Sequence, residues 1–195
     1  MSHAPLLVVP PRLFAPAAYY DLIAGYDAVY VDYDMRYNKR DKAVHRYDIA
    51  DARGRLSLTV PVSHPEGFSS GRLRWSDIGV SAHGRWWEVQ TVALESAYGG
   101  TPYFEYLFDS FRPLFGPRPV EGETIADLIR RANNVVRRIM GIRTYFLKTL
   151  PPDVPFDDYR TTSVADCAPY RQLRQDRLGF IPSLSILDRL FNEGH

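Results

Sequence analysis

Residues 6–32 read LLVVPPRLFAPAAYYDLIAGYDAVYVD, and their rhythm decides the fold. Leu6-Leu7-Val8-Val9 is a short continuous apolar run, β-branched at its end and closed by Pro10 and Pro11. That pattern predicts a buried strand. Ala17 to Ala24 carries Tyr19, Tyr20, Leu22 and Ile23, and Gly25 follows where a helix C-cap belongs. Ala28 to Asp32 is a second apolar, β-rich run. Parallel strands need a crossover between them, so strand, loop, helix, strand is the opening unit of a parallel sheet.

Beyond this unit the rhythm changes. Val44 to Ala50 and Leu56 to Val62 are extended runs around the turn signature Asp51-Ala52-Arg53-Gly54. Leu56, Leu58 and Val60 alternate with Ser57 and Thr59, which predicts one buried face. Ser63 to Arg72 is a polar Gly/Ser-rich loop, and Ile78 to Val80 a short strand. Helices are expected over Trp86–Tyr98, Tyr103–Phe111 and Thr124–Met140. In the last, Ile125, Leu128, Ala132, Val135, Val136 and Ile139 share one side. Arg130, Arg131, Asn134, Arg137 and Arg138 share the other, as a solvated face or a phosphate-holding stripe. Thr144 to Lys148 reads as a closing strand. The expected fold is a single α/β domain over residues 1–195. A mixed sheet starts with the parallel β-α-β unit, takes in the hairpin and carries flanking helices. Within it, residues 1–150 form the body. Residues 151–195 form an irregular segment docked on the body and ending in a short helix over Leu184–Phe191.

Composition narrows the function classes. Hydrophobic residues make up 45% and charged residues 24% of the 195, with a net charge of +1. No bulk charge calls for nucleic acid or an anionic membrane. No run approaches the roughly 18 apolar residues of a membrane span, so a cytoplasmic protein is expected. One cysteine, Cys167, excludes an internal disulfide and a multi-cysteine metal site. The Walker loop, the dinucleotide glycine motif, the zinc-protease His-Glu-x-x-His and the Gly-x-Ser-x-Gly elbow are all missing. Neither a metal nor a cofactor is expected.

What remains is a polar cluster after the second strand, Asp32-Tyr33-Asp34 and then Tyr37-Asn38-Lys39-Arg40. Ligands of open α/β sheets bind beyond the carboxyl ends of strands. A carboxylate there can take a proton, and a following cation can hold an anion. The same residues read equally well as a solvated loop.

The ordered set of motifs resembles the WbqC-like family. It comprises Phe14-Ala15-Pro16-Ala17-Ala18-Tyr19-Tyr20-Asp21, Ala28-Val29-Tyr30-Val31-Asp32, Tyr37-Asn38-Lys39 and Leu58-Thr59-Val60-Pro61-Val62. Trp86, Ser96-Ala97-Tyr98, Pro102 to Tyr106, Gly141-Ile142-Arg143-Thr144 and Asp158-Tyr159-Arg160 continue it, followed by Tyr170 and Gln172. Gly179-Phe180-Ile181-Pro182-Ser183-Leu184-Ser185-Ile186-Leu187-Asp188 and Leu190 to Gly194 close it, as in the family's shorter members. Two departures stand out. Val44-His45-Arg46 replaces a family Arg-Asn-Arg, and Gln90-Thr91 replaces a His-Trp. The resemblance implies a link to bacterial surface polysaccharides of the O-antigen kind, with a sugar or nucleotide-sugar ligand. It implies a transferase adding an acyl or aminoacyl group to an amino sugar or, where the departures cost catalysis, a silent binding or assembly protein. A homodimer is compatible with it. Asp32 and His45 are the candidate catalytic residues. Tyr19, Lys39, Arg46, Trp86, Tyr98, Asp188, Asn192 and Glu193 are the candidate substrate-binding residues. The expected site is a cleft between the second strand's end and the Ser63–Arg72 loop.

Overall fold

The structure, a computed structural model, describes residues 6–65, 67, 70–116 and 119–195. Its centre is a four-stranded parallel sheet. Strand β1 (Leu6–Val9) lies in the middle, and α1 (Ala17–Ala24) carries the chain to β2 (Ala28–Val31). Leu6 pairs with Ala28 and Val9 with Val31. All four β1 residues are buried, as expected of a strand covered on both faces. β2 alternates instead, with Val29 and Val31 inward and Ala28 and Tyr30 half-buried.

The hairpin consists of β3 (Arg46–Asp51) and β4 (Gly54–Thr59), paired from Arg46–Thr59 to Asp51–Gly54. The Asp51 carboxylate accepts the Arg53 N–H at 2.6 Å, and Gly54 takes a φ of +123°, a backbone open to glycine alone. The hairpin forms its own two-stranded ribbon and does not join the parallel sheet. The reason is packing. Tyr47 and Ile49 turn one face of β3 against the helices α2 (Trp86–Tyr98) and α6 (Ile186–Glu193). Short strands β5 (Val62–Ser63) and β6 (Gly79–Val80) pair with each other, and buried Trp75 lies on the chain between them.

Helix α3 (Phe104–Phe115) runs four residues past the expected Phe111, to just beyond Pro113. Helix α4 (Ile125–Ile139) starts on the Thr124 cap, where Thr124 and Asp127 bond each other's backbone N–H. Strand β7 (Tyr145–Phe146) pairs with β2, and β8 (Phe156–Asp158) pairs with β1. The sheet order is therefore β7-β2-β1-β8. After the one-turn α5 (Gln175–Leu178) the chain ends in α6, capped by Ser185. Ile186, Leu187, Leu190 and Phe191 of α6 are fully buried. Each contributes about 1.5–3 kcal/mol of hydrophobic stabilisation. The last 45 residues thus hold an edge strand of the sheet and a core helix.

Candidate functional site

The strand order reverses direction between β1 and β8. The chain leaves β1 for β2 on one side and reaches the other side only with β8. At such a switch point the loops beyond the carboxyl ends diverge and leave a crevice. A cleft of about 700 Å³ opens there, beyond Val9 and Arg160. Its walls are the 10–16 loop, the start of α1, residues 38–48 and the 159–166 segment.

Four arginines line it: Arg12, Arg40, Arg46 and Arg160. Arg12 stands 3.7 Å from Asp41. Among the described residues the Arg46 guanidinium bonds only the Thr59 hydroxyl, at 2.8 Å. Among the described residues neither Arg40 nor Arg46 makes an ion pair. Arg160 is clamped, bonding both Asp158 oxygens and reaching Asp32 at 2.9 Å. These hydrogen bonds push its pKa further up, and the guanidinium draws the Asp158 carboxyl below its usual range. Thr161, Thr162 and Ser163 add hydroxyls to the lining. Phe14 and Ser183, also in the lining, hold left-handed φ values of +43° and +54°. Such backbone strain collects at ligand sites, where the surroundings over-determine it.

The candidates from the sequence are dispersed. Tyr19 and Arg46 line the cleft. The Tyr19 hydroxyl donates to the Pro10 carbonyl at 2.9 Å, and burial keeps its pKa far above the usual range. Asp32 reaches the cleft only through Arg160. Its other oxygen accepts the Asp34 N–H, so it acts as a holder of the guanidinium. Lys39 is exposed and outside the lining, although its neighbours Asn38 and Arg40 are in it. His45 is buried, and its Nδ1 donates to the Val60 carbonyl at 2.8 Å. Burial pushes its pKa down, against the pull of that hydrogen bond. Trp86 is a core residue whose indole N–H donates to Ser81. Of the loop expected to wall the site, residues 66, 68 and 69 lie outside the described residues, and none of its described residues lines the cleft.

A second group meets elsewhere. Tyr98 and Tyr170 each donate to the Asp188 carboxylate at 2.8 Å, and the Tyr98 oxygen accepts the Ala50 N–H. Asn192 donates to the Asp188 carbonyl, and Glu193 accepts the Arg171 N–H. Burial raises the Asp188 pKa despite the donors around it. Asn192 and Glu193 border a different depression, with Tyr170 and Gln172. This group ties α6 to α2, β3 and the 170 segment.

Gln90, at one family departure, is 2% exposed and bonded at both ends, to the Tyr47 hydroxyl and the Thr59 carbonyl. It braces Tyr47, part of the cleft wall. Sequence reading missed Arg12 and the cleft role of Arg160, and it named Arg40 in the polar cluster but chose Lys39 as the candidate. The signal for Arg12 was a cation directly after the Pro-Pro that ends β1. For Arg160 it was the Asp-Tyr-Arg triplet. Cys167 is half-buried, and burial pushes its thiol pKa up. Among the described residues no helix is long and apolar enough to cross a membrane.

The model of the WbqC-like protein family matches residues 11–167. That span holds the cleft arginines but stops before Asp188. An uncharacterised protein of Mycobacterium tuberculosis, Rv1507c, is 26% identical over 212 residues, covering 90% of this chain and 88% of its own. No solved structure matches the chain.

Proposed function

The chain belongs to the WbqC-like protein family, and on that premise we propose that its cleft takes a nucleotide-linked or lipid-linked amino sugar of surface-polysaccharide biosynthesis and that the protein transfers an acyl or aminoacyl group to it. The observation that carries this reading is the arginine set at the switch point. Arg40 and Arg46 have no carboxylate partner among the described residues, and Arg160 is held in place by two. Guanidinium forks suit a diphosphate, and the hydroxyls of Thr161, Thr162 and Ser163 suit a sugar. In the transfer the sugar amine attacks the donor carbonyl, a C–N bond forms, and the donor's carrier leaves. The amine proton goes to a carboxylate. Asp41, 3.7 Å from its only ion-pair partner among the described residues, is the least committed one in the cleft. Arg46 is placed to donate to the developing oxyanion.

A second reading is a silent sugar-binding or assembly protein of the same pathway. The hydrogen bonds that already occupy Asp32 and His45 favour it. One experiment serves both. Thermal unfolding is followed with a uridine-diphosphate-linked amino sugar, with uridine diphosphate and with the free sugar. Saturating ligand at a hundred times Kd adds about 2.7 kcal/mol of apparent stability. The two diphosphates should raise Tm and the free sugar should not, and Arg46→Glu should abolish the rise. No rise, or a rise unchanged in Arg46→Glu, would sink the site assignment. Mass spectrometry of the bound sugar with an acyl thioester present then separates the readings. An acylated sugar supports the transferase, and tight binding without product supports the silent protein.

A further inference from the structure

The carboxyl edge of the sheet bears a second crevice, of about 470 Å³, beyond β2 and β7. It shares no lining residue with the cleft, and the α4 face carrying Arg130, Asn133, Asn134 and Arg137 walls it. These positions fall at i, i+3, i+4 and i+7, the spacing of one helix face. A helix face against a sheet edge is ordinarily apolar. Here it is polar, and its centre is buried.

Asn133 is 2% exposed. Its Oδ1 accepts the Tyr20 hydroxyl at 2.7 Å, which turns Nδ2 toward the crevice. Among the described residues Nδ2 has no hydrogen-bond partner. The Tyr33 hydroxyl stands beside the amide, where burial pushes the phenol pKa up and that contact lowers it by less. A buried donor without an acceptor is rare in folded proteins and marks a place where something else belongs. The cations around it are pre-set. Arg130 lies over the Tyr33 ring at 4.1 Å, and Arg137 over the Phe146 ring at 4.9 Å. Stacking fixes a guanidinium plane and leaves its N–H edges for a ligand. Arg130 is already paired with Asp127. Among the described residues Arg137 and Lys148 have no ion pair. Asp34 is the single carboxylate in the lining, and it accepts the Ser76 hydroxyl at 2.7 Å.

We propose that this crevice binds a phosphate monoester, with Asn133 Nδ2, Arg137 and Lys148 donating to its terminal oxygens. A phosphate rather than a carboxylate fits because the donors come from both the helix and the sheet edge. Three terminal oxygens can meet them, where a carboxylate offers two. The volume exceeds that of phosphate alone and leaves room for a small organic body. This site is separate from the arginine cleft and does not depend on the reaction assigned there.

The test is calorimetric titration of inorganic phosphate, glucose 6-phosphate and AMP, with the Asn side-chain amide resonances followed by NMR. Saturable binding of at least one monoester is expected, tighter than that of inorganic phosphate, with a shift at the Asn133 amide. Lys148→Ala, at an exposed residue, and Arg137→Ala, at a half-buried one, should each weaken it by about tenfold. Arg46→Glu, in the other cleft, should leave it unchanged. No saturable binding at millimolar ligand, wild-type affinity in both crevice variants, or loss in Arg46→Glu would overturn the proposal. So would binding of inorganic phosphate as tight as that of every monoester.

Discussion

At the carboxyl edge of the sheet Asp32 faces a guanidinium, while in the seam between α2, β3 and α6 Asp188 faces two phenols. Both are motif carboxylates, and both are largely shielded from water. The partners make the difference. Arg160 brings a full positive charge at 2.9 Å, and the pair positions a cation facing a cleft. Tyr98 and Tyr170 bring only O–H dipoles, so burial wins and the Asp188 carboxyl is pushed up. One carboxylate therefore holds a cation at the candidate cleft, and the other joins three segments of the chain. A polar residue in a motif carries no mark of which of these it does.

The largest effect that would break this contrast is on stability. Asp188→Ala leaves two buried phenol hydroxyls without their acceptor and opens a small void. It should cost about 3–5 kcal/mol, the sum of two lost bonds to a charged or shared acceptor. Urea unfolding monitored by tryptophan fluorescence reads it. Asp32→Ala, at a partly hydrated ion pair, should cost about 1 kcal/mol or less. If Asp32→Ala proves the more damaging, the roles are reversed.

The complementary effect is on binding. Arg160→Ala should weaken the diphosphate-sugar ligand of the cleft by about tenfold or more, with little change in unfolding midpoint. Asp32→Asn should weaken it less, since Asp158 still holds the guanidinium by two oxygens. Calorimetry on both variants sharpens the comparison. Equal losses would make Asp32 a direct ligand contact.

How far the contrast was legible differs by region. The β1–α1–β2 unit was readable because Leu6 to Val9 is continuously apolar and Gly25 closes the helix. β8 was not, because Phe156-Asp157-Asp158 has no strand signal of its own. It becomes a strand through pairing with β1, a contact 150 positions away in the chain. Trp75 was hidden for a related reason, since a polar loop surrounds a fully buried ring. Of the site, Tyr19 and Arg46 were readable as residues near strand ends and helix starts. Lys39 and Arg40 could not be told apart. They sit in a turn closed by the Arg40 N–H donating to the Asn38 side chain, and the direction of each side chain there depends on backbone angles that composition does not encode. The partner of His45, the Val60 carbonyl, comes from just beyond the other strand of the hairpin, so that bond was not legible from its neighbours in sequence.

The Asp188 seam should also show itself in pH dependence. Its folded pKa is raised, so between the unfolded value of about 3.9 and the higher folded value the native state binds more protons than the unfolded one. Its contribution to stability is fully present below the unfolded value and falls as pH rises through the folded one. Asp188→Asn cannot ionise and is free of this loss. Relative to the wild type, its unfolding midpoint should therefore improve from pH 4 to pH 7. A gap that moves the other way would mean that the two phenols outweigh burial.

His45 offers the smallest and most specific check. Its ring is buried beside Trp75, and Nδ1–H bonds the Val60 carbonyl. Burial, with Lys42 and Arg46 adding to it, holds the pKa below 6.5 against the pull of that bond. In the window between the folded value and about 6.5 the unfolded chain takes up the proton and the native one does not. Stability is thus full above pH 6.5 and declines as pH falls through that window. A glutamine keeps a donor of similar reach and has no proton to gain. His45→Gln should cost little at pH 7.5 and should flatten part of the decline in Tm between pH 7.5 and 5.5. A catalytic His45 would behave differently. The variant would then abolish acylated product as well as flatten the profile. Measuring turnover and Tm on the same preparation decides whether this ring belongs with Asp188, among the groups that hold the fold, or with Arg160 at the cleft.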